Sequence, residues 1–401
     1  MVSRRAMIAG GIGAAALAGA GYRIWDRGVF AGVGGPAYDP WATWQGSIVD
    51  GIARPLHAAI LAANPHDTQP WLFEIVNDTI VVYADRIRNL GSFDPFRREM
   101  HLGLGAAIEN LVRAASVFGY TPYVRPVPGR LADTPPDTPV AVAHILMDPG
   151  APSRDELFEA IPDRHTSRGR YLDRPVPPGA LQRLAAQVND ADVRLVLLTD
   201  AAARKDLASL VVGATERIVA DPQMSADSAR WIRTGRSEVE EHRDGVTVDA
   251  AGLSPATVML AKLLPDQSPA SQDRYWLANT RDVQVHAPVL GVILVKDRLD
   301  RVQSLSAGRA WQRFHLAATA AGFAAQPLNQ PVECIDRNAM LGRADTWQND
   351  LVKLAAAPGW QPTFVFRLGV AEKPAPLSPR RPLSMVMKSS GLAWGARRSR
   401  A

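Results

Sequence analysis

Gly105-Ala106-Ala107-Ile108-Glu109-Asn110-Leu111-Val112-Arg113-Ala114-Ala115-Ser116-Val117-Phe118-Gly119-Tyr120 returns, in one register, as Gly308-Arg309-Ala310-Trp311-Gln312-Arg313-Phe314-His315-Leu316-Ala317-Ala318-Thr319-Ala320-Ala321-Gly322-Phe323. The opening glycine, the Ala-Ala pair, the closing glycine and the aromatic residue after it keep their places. Two unrelated helices with ordinary glycine C-caps would share the closing glycine, but not the opening glycine or the alanine pair. The register points to an internal duplication. A helix rich in small residues lets another helix approach closely. The repeat therefore predicts two related lobes packed through these two helices, a dimer fused into one chain.

Working outward from the first copy, Ile48, Ile52, Leu56, Ile60 and Leu61 have near-helical spacing and predict a helix over 48–63. Residues 72–76 and 79–83 read as a hairpin joined at Asn77-Asp78. A long helix is expected over 99–118 and a strand over 140–146. Pro149-Gly150 then punctuates the chain and marks the boundary between a first lobe, 36–150, and a second, 151–390. Around the second copy, helices are expected over 154–160, 178–188, 201–236 and 307–321, and strands over 193–198 and 361–368. The apolar run 287–296 suits a central buried strand. Glu238-Val239-Glu240-Glu241-His242-Arg243-Asp244 reads as a solvated helix end rather than a metal cluster, and no metal site is expected. The fold class is α+β.

The N-terminus reads as an export signal and is set aside from the fold. Ser3-Arg4-Arg5 opens a basic stretch, residues 6–22 are apolar and Gly/Ala-rich, and Ala18-Gly19-Ala20 fits a small-residue cleavage site. Paired arginines before a weakly hydrophobic run predict a twin-arginine signal with its linker over 1–35. The expected destination is the periplasm or cell envelope, with the twin-arginine machinery as a partner and transient membrane contact through the signal. An uncleaved N-terminal anchor is the alternative, although the run is short and alanine-rich for a stable span. Gly11-Ile12-Gly13-Ala14-Ala15-Ala16 imitates a dinucleotide fingerprint, but no strand precedes it. The net charge of +5 is mild and the arginines are scattered, so nucleic acid is not an expected partner. An anionic cofactor or substrate suits that charge equally well. Cys334 is the only cysteine, which excludes an intrachain disulfide and a thiolate metal site built from one chain. Residues 391–401 form a basic tail.

Three further segments carry a resemblance. They are Ala62-Ala63-Asn64-Pro65-His66-Asp67-Thr68-Gln69-Pro70-Trp71, then Arg164-His165-Thr166-Ser167-Arg168 with Asp173-Arg174-Pro175-Val176-Pro177-Pro178 after it, and Ser378-Pro379-Arg380-Arg381-Pro382-Leu383. In this order, over about residues 48–386, they resemble the nitroreductase family of FMN enzymes, and more closely its fused, double-length Acg-like members. The family counterparts are the Pro-Ser-Ser-x-Asn-x-Gln-Pro-Trp segment, the Arg-x-Ser-x-Arg/Lys segment and the basic C-terminal segment.

The resemblance implies a nitroreductase-like fold with FMN held between the lobes. Arg164 and Arg168 would grip the phosphate with a hydroxyl from Thr166 or Ser167, and Arg380 or Arg381 would close the other side. Asn64, Pro65, Asp67 and Gln69 would meet the pyrimidine edge. The residue types suit these roles, because guanidinium forks bind phosphate bidentately and a flavin needs a few polar partners and a flat apolar wall. Residues 41–51 show nothing like the arginine segment, and the second half has no Gln-Pro-Trp loop, so the surviving parts are complementary. Pro65 replaces a family serine and Asp67 replaces the family asparagine. An ionised aspartate only accepts hydrogen bonds. The implied activity passes electrons from NAD(P)H or another donor, through flavin N5, to a quinone, nitroaromatic or similar planar acceptor. A flavin-holding protein with an occluded site is the alternative. No catalytic residue stands out. His66 reads as a loop histidine, and Trp71 as a core anchor for the strand after it.

Overall fold

The computed structural model describes residues 21–29, 32–132, 138–263 and 268–388. The arginine pair, the expected cleavage site and the basic tail lie outside them. Among the described residues no helix is long and apolar enough to cross a membrane.

The chain is α+β, and its described residues hold two four-stranded antiparallel sheets. The first contains β1 (Trp71–Val76), β2 (Thr79–Ala84), β3 (Tyr120–Pro126) and β4 (Val140–Pro149) in the order β1-β2-β4-β3. Two short parallel strands, β6 (Ile232–Arg233) and β7 (Val246–Thr247), follow β5 (Val193–Leu198) in the chain. The second large sheet joins β5 to β8 (Val289–Val295), β9 (Ala324–Pro327) and β10 (Gln361–Gly369) in the order β5-β8-β10-β9. The long helix α1 (Arg98–Val117) stands between β2 and β3. After α2 (Ala201–Val219) comes α3 (Arg301–Ala320), which stands between β8 and β9, and α4 (Gln330–Met340) follows β9. Read in chain order, β1-β2-α1-β3-β4 and β5-β8-α3-β9-β10 have the same topology. They differ chiefly where β1 and β2 are joined by the Asn77-Asp78 turn. At the corresponding place in the second lobe, residues 199–288 are inserted, and the described part of the insertion is mostly helical, with β6 and β7 within it.

The opening glycines of the repeat mark the place where α1 and α3 touch. A Cβ on Gly105 would lie 2.1 Å from the Leu305 carbonyl oxygen, and one on Gly308 would lie 2.0 Å from that of Leu102. Leu102 and Leu305 hold matching positions in the repeat, so each contact is the other with the copies exchanged. The polar contacts one turn further on obey the same rule. Glu109 accepts from Arg313 Nη1 at 3.1 Å, and Gln312 Nε2 donates to Asn110 Oδ1 at 2.8 Å. Exchange of this kind is the mark of an isologous contact.

Side-chain alternation places β8 in two cores. Val289, Ile293 and Val295 join one hydrophobic cluster while Leu290, Val292 and Leu294 join another. With both faces covered, the strand is apolar throughout, as its sequence implies.

Several expectations need correction. The helix expected over 48–63 is two fragments, Ile48–Ala53 and Leu56–Ala59, interrupted by Gly51 at φ 52° and by Pro55. The helical segments expected over 201–236 are α2 and a second helix, Pro222–Ala229, which the Asp221 carboxylate caps by accepting from Gln223 and Met224 N–H, but the stretch ends in the short strand β6. Strands β3 and β9 have no strong alternating apolar signal. Both are edge strands carrying proline, which an edge tolerates. The charged run ends a helix, Arg236–His242, and is solvated only in part: Glu241 and His242 are exposed, but the residues around them are tied into the fold. Asp244 is buried between Arg233, at 2.7 Å, and Arg88, and Glu240 accepts from Ala37 N–H at 3.0 Å.

After β10 the chain returns to the first sheet. Trp41 Nε1 donates to Ser378 O at 2.8 Å, Arg380 N–H to Ala37 O at 2.7 Å, and Met387 bridges Phe73 in parallel. This crossing carries Arg380 and Arg381 to the loop before β1.

Candidate functional site

The loop 64–69 is strained. His66, Asp67 and Gln69 adopt φ of 47°, 54° and 49°, a region non-glycine residues avoid. Each such residue costs about 1–3 kcal/mol, so the surroundings must hold the loop. They do so with specific bonds. Asn64 Oδ1 accepts from Gln69 N–H at 2.7 Å, and Asn64 Nδ2 donates to Asp67 Oδ1 at 3.2 Å. Gln69 is fully buried, with Nε2 donating to Arg243 O at 2.8 Å and Oε1 accepting from Arg381 N–H at 2.7 Å. Trp71, also fully buried, anchors the start of β1.

Behind this loop lies a cluster of arginines around one carboxylate. Arg380 Nη1 donates to Asp67, to Ser378 Oγ at 2.8 Å and to Pro379 O at 2.8 Å. Arg164 Nη2 donates to Leu61 O at 3.1 Å, and Arg168 Nη1 to Ala250 O at 3.2 Å. Burial, then the neighbouring Arg380, lowers the Arg164 pKa to about 9, with Asp67 opposing. Burial likewise lowers those of Arg168 and Arg380, against the pull of Asp67. Burial also raises the Asp67 pKa in spite of Arg380. Three guanidiniums around one carboxylate leave two positive charges uncompensated, and buried charges are normally paired. The buried Nε atoms of Arg164 and Arg380 have no partner among the described residues. A phosphate dianion fits that excess of positive charge.

A cavity of about 390 Å³ opens between the lobes beside this cluster. Of the residues expected at the site, Asn64, Pro65, Thr166 and Arg168 lie on its wall. Asp67, Gln69, Arg164, Ser167, Arg380 and Arg381 do not; they form the layer around it. Thr166 bridges Ala325 on β9, and Ser167 N–H donates to Ala325 O at 3.3 Å. Ser167 O in turn accepts from Tyr171 Oη at 3.1 Å and from Arg367 Nη2 at 3.2 Å. Arg381 is spent on the crossing segment, donating to Met385 O at 2.8 Å and Gln69 O at 3.3 Å.

Other wall residues were not legible in the sequence. Gln326 on β9 and Gln330 and Glu333 on α4 line one side, and each has a buried oxygen with no partner among the described residues. Trp311 and Phe364, with ring centroids 4.5 Å apart, give that part of the cavity flat apolar surface. Glu99, in the first turn of α1, faces the cavity from the other lobe. His66 also faces it. Its ring lies 5.6 Å from Phe93, and burial with nearby Arg168 lowers its pKa to about 4, so it is neutral at pH 7. The inserted segment completes the wall with Ser225, Thr247, Tyr275 and Trp276. In sequence Glu99 reads as a first-turn acid suited to the helix dipole, and Gln330 and Glu333 as ordinary helix-start residues.

No family model matches the chain. Two proteins of Mycobacterium tuberculosis (strain ATCC 25618 / H37Rv) are similar to it over most of both lengths. One, named "Putative NAD(P)H nitroreductase Rv3131", is 27% identical over 339 residues, 83% of this chain and 90% of the relative. The other, named "Putative NAD(P)H nitroreductase acg", is 25% identical over 345 residues, 84% of this chain and 95% of the relative. Among solved structures, a nitroreductase from Anabaena variabilis ATCC 29413, described as putative, aligns with 73% of this chain and 69% of its own at 11% identity and TM-score 0.44.

Proposed function

We propose that this chain is an FMN-dependent oxidoreductase, a fused pseudo-dimer that carries one flavin between its lobes. In this reading it moves electrons from NAD(P)H to a small planar acceptor such as a quinone or nitroaromatic. The observation that carries the reading is the arginine cluster: two unbalanced positive charges beside a cavity with an aromatic flank. The length-wide similarity to proteins named NAD(P)H nitroreductases supports the reaction class, and the exchange-related contacts of α1 and α3 support the fusion.

When bound, FMN supplies hydride acceptance and donation at N5. The chain's own residues do the rest. Arg164, Arg168 and Arg380 provide charge for the phosphate, with Thr166 as a hydroxyl donor at the wall. Asn64 and Pro65 present the strained loop to the cavity. Trp311 and Phe364 give a planar ring an apolar surface. Gln69 and Arg381 act one layer back by tying the crossing segment to the loop.

The test is Arg168→Ala. Losing one charge-assisted phosphate contact is expected to cost about 2–3 kcal/mol, roughly a hundredfold in FMN affinity, while riboflavin binding changes little. Equal losses for FMN and riboflavin would show that Arg168 does not read the phosphate.

A second reading, a flavin-holding protein without turnover, draws on the inserted segment that walls the cavity. Yellow protein that oxidises no NAD(P)H with any acceptor would select it. On the strength of Ser3-Arg4-Arg5 and the apolar run after it, we place the protein in the cell envelope by twin-arginine export. Fractionation of cells expressing the Arg4→Lys/Arg5→Lys variant checks this placement.

A further inference from the structure

Two acids reach the cavity wall from opposite lobes, Glu99 on α1 and Glu333 on α4. Both belong to a buried charge cluster. Asp336 holds Arg98 Nε at 2.6 Å and Arg298 Nη1 at 2.8 Å. Asp94 accepts the N–H groups of Glu99 at 3.0 Å and Met100 at 2.9 Å, and Arg97 adds its charge to that side. Glu99 Oε1 accepts from Asn329 Nδ2 at 2.9 Å and from Arg98 Nη2 at 3.3 Å. Four carboxyls, those of Asp94, Glu99, Glu333 and Asp336, thus meet three guanidiniums, those of Arg97, Arg98 and Arg298. Glu99 and Asp336 each pair with a guanidinium and Asp94 accepts two backbone N–H groups, whereas Glu333 has no ion pair among the described residues. Its Oε2 is buried without a partner among the described residues although the residue stands at the wall of the cavity, and the residue is only 5% exposed.

We propose that Glu333 is a neutral carboxylic acid that protonates the oxygen of a bound quinone during its reduction. The inference rests on the reductase reading above and names the substrate class for that site.

The surroundings favour the neutral form. Burial, followed by repulsion from Glu99, raises the Glu333 pKa well above the usual carboxyl range, with Arg98 opposing and Asp94 and Asp336 adding to the rise. Burial raises that of Glu99 to about 7. A carboxyl buried without an ion pair and close to a second carboxyl keeps its proton and becomes a hydrogen-bond donor. Gln326 and Gln330 line the same cavity, and their amide oxygens, which are acceptors, have no partner among the described residues. A quinone carbonyl at this wall would accept from the Glu333 O–H, and the hydroxyl of the reduced product would donate to an unused glutamine oxygen.

The step balances. A quinone needs two electrons and two protons to become a hydroquinone. The hydride equivalent from the NAD(P)H-driven site supplies both electrons and one proton. The Glu333 O–H bond breaks, a new O–H bond forms on the quinone oxygen, and the bonding pair stays on the carboxylate. Water entering as the product leaves restores the proton.

Two measurements on the flavin-loaded protein test this. The first is infrared spectroscopy at pH 7. A protonated-carboxyl C=O band present in the wild type should be lost in Glu333→Gln and kept in Glu333→Asp. The second is stopped-flow reoxidation of dithionite-reduced protein by benzoquinone, which needs protons, or by ferricyanide, which needs none. Glu333→Gln should slow benzoquinone at least a hundredfold, in the range of general acid catalysis. It should leave ferricyanide unchanged, and Glu333→Asp should recover part of the loss. No loss of the carboxyl band, or equal slowing with both oxidants, overturns the proposal. Wild-type protein that holds no flavin, or whose reduced form reacts with neither oxidant, overturns the reductase reading instead.

Discussion

At the scale of single residues, Asp67 shows how a substitution is read by its neighbours. An aspartate in the loop before β1 suggests a partner for a flavin edge. In the fold its carboxylate turns to Arg380 and Asn64, away from the cavity wall. It is the one anion among Arg164, Arg168 and Arg380, so its role is to hold those charges in place. Asp67→Asn removes that anion. Breaking a buried ion pair costs about 3–5 kcal/mol, and a loss of that order is expected in thermal unfolding of the flavin-free protein. Added FMN should then raise the melting temperature more in the variant than in the wild type, because its phosphate replaces the missing charge. An equal FMN effect in the two proteins would separate Asp67 from the phosphate cluster.

At the scale of elements, the α1–α3 contact joins the two lobes. Glu109 is the electrostatic centre of the contact. It is buried and meets Arg309 at 3.0 Å, Arg313 at 3.1 Å and Arg113 at 2.9 Å, and the arginines hold its carboxyl below the usual range against the opposing effect of burial. Gly105 and Gly308 let the backbones come together. Gly308→Ala would drive a methyl group into the Leu102 carbonyl. Overpacking of this kind costs about 1–3 kcal/mol, which should appear as a lower midpoint in denaturant. Gly322→Ala is the control for glycine replacement away from the interface. No atom stands within 4 Å of a Cβ there, and its cost comes from the backbone alone, at φ 78°. If Gly308→Ala leaves the midpoint where it is, the helices separate more easily than their packing implies.

At the scale of the whole molecule, the cavity takes residues from both lobes: Asn64, Pro65 and Glu99 from one, Thr166, Arg168 and Glu333 from the other. The fused-dimer reading therefore expects one complete site and one FMN per chain. Flavin released by denaturation, divided by protein concentration, measures this directly. A ratio of two would require a second, independent site. The insertion at 199–288 breaks the likeness of the halves by adding its own residues to one side of the cavity.

The sequence by itself determined whatever depends on neighbours along the chain. The repeat located α1 and α3 and their two crossing glycines. The continuous apolar run marked β8 as covered on both faces. The Asn-Asp turn set the β1–β2 hairpin, and the spacing of Arg164 and Arg168 placed both in one short segment. Tertiary structure alone decided which way the side chains of that segment face, leaving Arg168 on the cavity and Arg164 behind it. It also broke the helix expected over 48–63, because Gly51 and Pro55 outweigh an apolar spacing that suits a helix. The meeting of Glu99 with Glu333 had no sequence signal at all. Each is an ordinary acid near the start of its helix, and only the packing of one lobe on the other removes the water that would keep Glu333 ionised.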